Sequence, residues 1–445
     1  MSRELTNRQY LGVVLPFMIS TSTQPLMGAV NTAVMGTLSD PAYISGVALG
    51  AVLFNTIYWL FGFLRVSTSG YSAQALGTGD IMDRATSLGR PAVVAMVVST
   101  IILILQKPIL AAYLHLVNPA PDVAALTAYY YDILIWGAPF TLLNYVFLGW
   151  LMGQARLRAS LFMQMSTNIL NVILCIFFVM GLGYDVGGVG TATLISQGYG
   201  CLVGLWLVIR YAGFSLREVP KDVLFSFSSF LNMMKTNGNL MIRTSCLQIV
   251  NNLFAAASTS FGTEILAANA VILQVQYILS YLLDGVGNGN SLFTGRAVGR
   301  RNRQLFEETK STTLKWLAVI IFILFSLCFL GGDWFLGIFS NNEEVLNLAR
   351  QYTRYLYLYP VAAGVGLAFY GMYTGATYTS PMRDMMIIAM ICFAVSRYFL
   401  VPLMGNDGLW ISYLLFYAAQ SVINLLFFGR LRRHIGFYGK FEPKP

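Results

Sequence analysis

Charge is what this chain has least of. Only 11% of its 445 residues are Asp, Glu, Lys or Arg, less than half the share of about 25% usual in soluble domains, which excludes a water-soluble globular protein. Histidine is nearly absent: His115 falls in a predicted loop and His434 in the tail, so histidine acid–base chemistry inside the apolar segments is excluded. All five cysteines, Cys175, Cys201, Cys246, Cys328 and Cys392, lie within apolar runs, with no CxxC spacing and no histidine nearby. Neither a disulfide framework nor a metal site follows. Asp284 is the clearest acidic residue deep in an apolar run, whereas an intramembrane aspartyl protease needs two facing aspartates. The chain is expected not to be an enzyme and to need no cofactor. A cleavable signal is also missing: Met1–Gln9 is polar and the apolar run after it is too long, with no small-residue cleavage site, so the first segment is expected to stay in the membrane.

What fills the chain instead is apolar mass, 56% of it hydrophobic with a mean hydropathy of +0.64. Apolar runs of about 20 residues, the length that crosses a bilayer, occur near 10–37, 43–76, 90–113, 123–154, 160–182, 187–211, 236–260, 264–295, 312–340, 345–375, 381–403 and 408–429. Twelve such spans predict an all-α polytopic membrane protein with both termini on one side. The formal net charge of +9 sits on that side: Arg3, Arg8, Arg84, Arg156, Arg158, Arg217, Lys221, the Arg296–Lys315 cluster and a tail with Arg430, Arg432 and Arg433. The opposite loops hold Lys107, Arg350 and Arg354 among a larger number of acids. By the positive-inside rule both termini are expected in the cytoplasm, and the basic surplus reads as topology, not as a nucleic-acid surface.

The polar residues left inside the spans mark a pathway. The first span carries Pro25 and Asn31 within QPLMGAVNTAVMGTL; the proline predicts a kink, and an uncharged amide near the bilayer centre needs a partner. In the fifth span Asn168, Asn171 and Cys175 share a face, and the sixth adds Thr193, Ser196 and Gln197. The seventh holds Gln248, Asn251 and Asn252. The eighth contains DGVGNGNS, Asp284 to Ser291, whose three alternating glycines predict a loosened helix with Asp284 and Asn288 on one face. Tyrosines at 129–131 and at 352, 355, 357 and 359 are expected to form interfacial belts.

A shift of 222 residues lines up QALG at 74–77 with RAVG at 296–299, GWLMGQA at 149–155 with GMYTGAT at 371–377, and Ala48 with Ala270. Three matches at one offset near half the length argue for duplication. Residues 1–212 are expected to form an amino-terminal six-helix lobe, 213–235 a cytoplasmic linker, 236–430 a carboxyl-terminal six-helix lobe and 431–445 a basic tail.

The stretches PLMGAVNTAVMGTL, GFLRVSTSGYSAQALG, LGWLMGQARLRA, NILNVILCIFFVMGLG, VGGVGTATLIS, ILAANAVIL and LLDGVGNGNSLFTGRAVG, in this order, resemble the multidrug and toxic compound extrusion (MATE) transporters, in particular the branch of the DNA-damage-inducible protein F. The resemblance implies two pseudo-symmetric six-helix bundles and export of small organic compounds, often cationic, against an inward flow of protons or sodium. It also implies acidic residues where this chain has Asn31, Cys175, Ser291 and Tyr370. Asn171 and Thr193 match the family's polar companions, and Asp284 matches its Asp-Gly.

The expectation is a MATE-type exporter of the cytoplasmic (inner) membrane, a monomer whose partners are the bilayer and a small organic substrate. Its cavity is expected to use Asn31, Asn171, Cys175, Thr193, Gln197, Gln248, Asn252, Asn288, Ser291 and Tyr370, with Asp284 as the coupling group for H+ or Na+. The alternatives are a flippase-like transporter of a lipid-linked or anionic metabolite, and a homologue that binds or senses without transporting.

Overall fold

The computed structural model describes residues 5–35, 41–214, 220, 226–340 and 343–436, without the side chains of 23–35, 41, 42 and 44. Pro25 and Asn31 therefore lie outside the described side chains. Every regular element among the described residues is helical. Helix α1 is Asn7–Met35, and α2 joins Pro41–Leu60 to Phe63–Thr78. The join is a tightened turn in which Phe61, Gly62, Leu64 and Arg65 each donate to the carbonyl three residues back. Helix α3 is Ile81–Ile104, capped by the Asp80 carboxylate at the Met82 N–H, and a short helix, Gln106–Val117, follows. Helix α4, Pro121–Gly153, narrows to a 3-10 turn at Ile135–Gly137. The cause is Pro139, which has no N–H to offer the Ile135 carbonyl. Helix α5, Leu157–Gly181, ends in a wide π turn from Phe177, and α6 is Val186–Ala212.

The second half holds α7 Phe227–Thr259, α8 Thr263–Gly299, α9 Arg303–Gly337, α10 Glu343–Gly375, α11 Ser380–Met404 and α12 Asn406–His434. Among the described residues ten helices are long and apolar enough to cross a membrane. With α1 at 29 residues and α7 at 33, both above the ~20 needed, these make the twelve spans of an all-α polytopic membrane protein. The connection predicted over 213–235 is shorter than expected, because α7 already begins at Phe227.

Two compact units result, Thr23–Asn232 and Met1–Ser22 with Met233–Pro445. The division differs from the predicted one at the start of the chain, where the described residues 5–22 pack with the carboxyl-terminal half. Hydrogen bonds hold them there. The Tyr10 hydroxyl donates to Asn290 Oδ1 at 2.9 Å, Thr21 Oγ1 to the Tyr281 carbonyl at 2.6 Å, and Trp316 Nε1 to Asn7 Oδ1 at 3.1 Å. Met18 and Val14 lie on Gly285 and Gly289, where a side chain would collide with them.

This contact corrects the reading of DGVGNG. Helix α8 is continuous through it, because the glycines serve packing: Gly285 and Gly289 admit α1, and Gly287 admits α10 at the Leu367 carbonyl. The repeat is visible in the same seam. Gly149 and Gly153 of α4 lie against the carbonyls of Arg65 and Ser69 on α2, and their counterparts 222 residues on, Gly371 and Gly375 of α10, lie against those of Gly287 and Ser291 on α8. Each unit is thus built around one small-residue crossing.

The carboxyl-terminal unit has a second anchor at Asn269. Its Nδ2 donates to Ser258 Oγ at 2.9 Å and Asn406 Oδ1 at 2.8 Å, while its Oδ1 accepts from Asn406 Nδ2 and from Trp410 Nε1 at 2.8 Å. Replacing a residue that satisfies this many buried groups strands them, at about 1–3 kcal/mol per group. Asn269→Leu is expected to lower the thermal unfolding midpoint of the purified protein by an amount matching at least ~3 kcal/mol; an unchanged midpoint would count against the hub.

Candidate functional site

In the amino-terminal unit the polar residues of α5 and α6 meet. Asn171 Nδ2 donates to Thr193 Oγ1 at 3.2 Å and Ser196 Oγ at 3.1 Å. Both hydroxyls spend their own protons on α6 carbonyls, those of Val189 and Ala192. Each is thereby left as an acceptor for the amide. Cys175, one turn beyond Asn171, is a buried free thiol. Gln197 meets the neighbouring α4, its backbone carbonyl accepting from Asn144 Nδ2 at 3.0 Å while its side-chain Oε1 faces Gly137.

Three amide oxygens in this unit, Asn144 Oδ1, Asn171 Oδ1 and Gln197 Oε1, are buried without a donor among the described residues. An acceptor sealed in a membrane protein without a partner is costly. The site is therefore uncharged but rich in acceptors, suited to N–H or O–H donors or to a small hard cation. Asn144 is not among the residues expected from the sequence. Its signal there is an amide one turn and a half beyond the helix-tightening Pro139.

In the carboxyl-terminal unit Tyr277, Tyr281, Asp284 and Asn288 recur on α8 at spacings of three to four residues. Asp284 is half-buried and within electrostatic reach of Tyr417 on α12. Tyr417 in turn belongs to a cluster of phenols. Tyr359 and Tyr417 meet edge to face at 4.8 Å, as do Tyr413 and Tyr417 at 5.2 Å. The Tyr359 and Ser280 hydroxyls are 2.6 Å apart, and Tyr413 donates to Asn251 Oδ1 at 2.9 Å. Gln276 donates to Ser280 Oγ but keeps a buried Oε1 without a donor.

This cluster corrects the predicted belts. Tyr359 is only 1% exposed and Tyr355 is buried with its hydroxyl on the Asp407 carboxylate, while at 129–131 only Tyr129 is exposed. A tyrosine near a span end is equally compatible with an interfacial and an inward position, and only packing decides between them.

The remaining expected residues separate. Ser291 is buried in the α8–α10 seam and accepts from Thr374 Oγ1 at 3.2 Å, so it serves helix packing. Gln248 donates to Asn252 Oδ1 one turn along α7. Asn288 is half-buried one turn past Asp284. Tyr370 lies under the guanidinium of Arg243, 3.9 Å from its ring centroid. Among the described residues no group of three or more His, Cys, Asp or Glu is placed to hold a metal ion.

The MatE family model matches residues 16–177 and again 240–403, two stretches whose starts reproduce the internal repeat to within two residues. The chain is 31% identical over 414 residues to DNA damage-inducible protein F of Escherichia coli K12, covering 92% of this chain and 89% of that one. It is 20% identical over 398 residues to the multidrug export protein MepA of Staphylococcus saprophyticus, covering 85% and 84%. Among solved structures it resembles an outward-facing multidrug resistance MATE family transporter, with a TM-score of 0.86 at 18% identity over 97% of this chain and 96% of the other.

Proposed function

The chain belongs to the MatE family of membrane transporters, and from that premise we propose that it exports small organic compounds across the cytoplasmic membrane by alternating access, driven by inward movement of protons or sodium. The observation that carries the coupling is Asp284, a carboxylate well inside α8 and beside the phenol cluster of α10 and α12. A carboxylate at that depth is costly to keep charged, so gain and loss of a cation there biases one conformation over another. The acids that the family resemblance implies elsewhere are replaced by Asn31, Cys175, Ser291 and Tyr370, which leaves the function to Asp284. The half-buried ring of Tyr277 offers an apolar face with a hydroxyl edge to an amphipathic solute. Both termini face the cytoplasm, in keeping with the basic residues of the connections and tail.

The direct check is transport by proteoliposomes that hold the purified protein and face an imposed pH or sodium gradient. Rhodamine 6G and carboxyfluorescein serve as cationic and anionic probes. Accumulation of one of them above its equilibrium level, abolished by an ionophore that collapses the gradient, is the expected result. Movement of neither dye above the rate of protein-free vesicles, with either ion, would overturn the reading.

A further inference from the structure

Arg243 lies half-buried midway along α7, in line with the buried Asn237, Leu240, Cys246, Val250 and Phe254. A guanidinium so placed normally meets a carboxylate, as Arg354, Arg383 and Arg432 of the same unit do at 2.6 Å with Asp407, Asp384 and Glu307. Arg243 instead lies over the Tyr370 ring, its central carbon 3.9 Å from the centroid. The cation–π contact uses the face of the group and none of its N–H donors. Nε is sealed from solvent and donates to nothing, and no N–H of Arg243 has an acceptor among the described residues.

A planar cation held by its face, with its donor edge unused, has the form of a receptor for a planar or tetrahedral oxyanion. Two parallel N–H bonds to one carboxylate or phosphate group satisfy it as no single neutral acceptor does. We propose that Arg243, oriented by Tyr370, is an oxyanion-binding subsite, and that the ligand it takes carries a carboxylate or phosphate group. Tyr370 fixes the plane of the guanidinium and is a positioning residue; Arg243 makes the contact. The subsite's role as a substrate contact rests on the exporter reading above, so binding is measured without transport, and a failure of either shows separately.

The test is fluorescence anisotropy of carboxyfluorescein and of rhodamine 6G, two dyes of one ring skeleton and opposite charge, on the purified protein in phosphatidylcholine nanodiscs. Wild type is expected to bind carboxyfluorescein. Arg243→Gln is expected to weaken that binding about tenfold to a hundredfold, the usual effect of losing a charge-assisted pair, with rhodamine binding intact. Arg243→Lys keeps the charge and is expected to recover only part of the affinity, while Tyr370→Phe keeps the ring and is expected to behave as wild type. Tyr370→Leu should weaken the anion and spare the cation.

Nanodiscs containing phosphatidylglycerol separate two sources of the oxyanion. Displacement of the dye there in wild type but not in Arg243→Gln assigns the subsite to lipid headgroup phosphates, and equal binding in both disc types assigns it to a soluble organic anion. Unchanged carboxyfluorescein affinity in Arg243→Gln, or no binding of that dye by wild type, would overturn the subsite. Should Arg243→Gln lose both dyes through misfolding, Arg243→Lys and Tyr370→Leu decide the matter: unchanged anion affinity in both rejects the subsite.

Discussion

Gly371→Leu is expected to leave almost no correctly folded protein in the membrane. The α carbon of Gly371 rests on the backbone of Gly287, and even a β carbon would overlap the Gly287 carbonyl. A flexible side chain could yield to it, but here both sides are helix backbone. The whole of α10 would have to move away from α8, opening the neighbouring contacts of Gly375 with Ser291 and of Leu367 with Gly287. Overfilling a packed core commonly costs ~1–3 kcal/mol and more where backbone must shift, a large part of the few kcal/mol by which proteins stay folded. Gly149→Leu, at the equivalent crossing with Arg65 on α2, is expected to fail similarly. Gly238→Leu and Gly429→Leu, in helices where a β carbon meets nothing within 4 Å, are the controls. Size-exclusion profiles of the four variants check the account; a monodisperse Gly371→Leu with wild-type thermal stability would contradict it.

Asp284→Asn is expected to abolish gradient-driven accumulation while leaving substrate binding and passive exchange in place. The substitution keeps the size and most of the hydrogen-bonding capacity of the side chain and removes only its ability to exchange a charge. A single charge moving through 100 mV is worth about 2.3 kcal/mol, which corresponds to a concentration ratio of about fifty. That ratio is what the Asn variant should lose. Asp407→Asn tests whether any buried or half-buried aspartate would do the same. Its carboxylate is already taken by Arg354 and the Tyr355 hydroxyl, both at 2.6 Å, so its loss should disturb stability and not coupling. Measured in the proteoliposome assay, undiminished accumulation by Asp284→Asn would remove the coupling role.

Much of the fold was legible because the bilayer limits the possibilities. Apolar runs of the right length give spans, and GWLMGQA against GMYTGAT gives the repeat that the structure shows as one glycine crossing in each unit. Asn171 and Thr193 were legible for a related reason: a polar pair at this depth has few partners besides each other. The orientation of residues around each helix was much less so. In soluble proteins the polar face marks the outside, but a membrane helix is apolar on its lipid side as well as its buried side. Tyr359 and Tyr131 therefore read as interfacial although packing buries them. The glycines of DGVGNG read as weakness for the same reason, since their neighbours Val14, Met18 and Leu367 lie far away in the chain. The attachment of residues 5–22 to the second half, through Tyr10, Asn7 and Thr21, leaves no local trace at all.

A conformational change driven by cation exchange at Asp284 can be followed without choosing a substrate. Intrinsic fluorescence of the seven tryptophans would be followed in the purified protein as pH, and separately sodium, is varied, for wild type and Asp284→Asn. A saturable transition with one of the two cations is expected in wild type and none in the variant. A transition of equal size and midpoint in both proteins, or silence towards both cations in wild type, would contradict it.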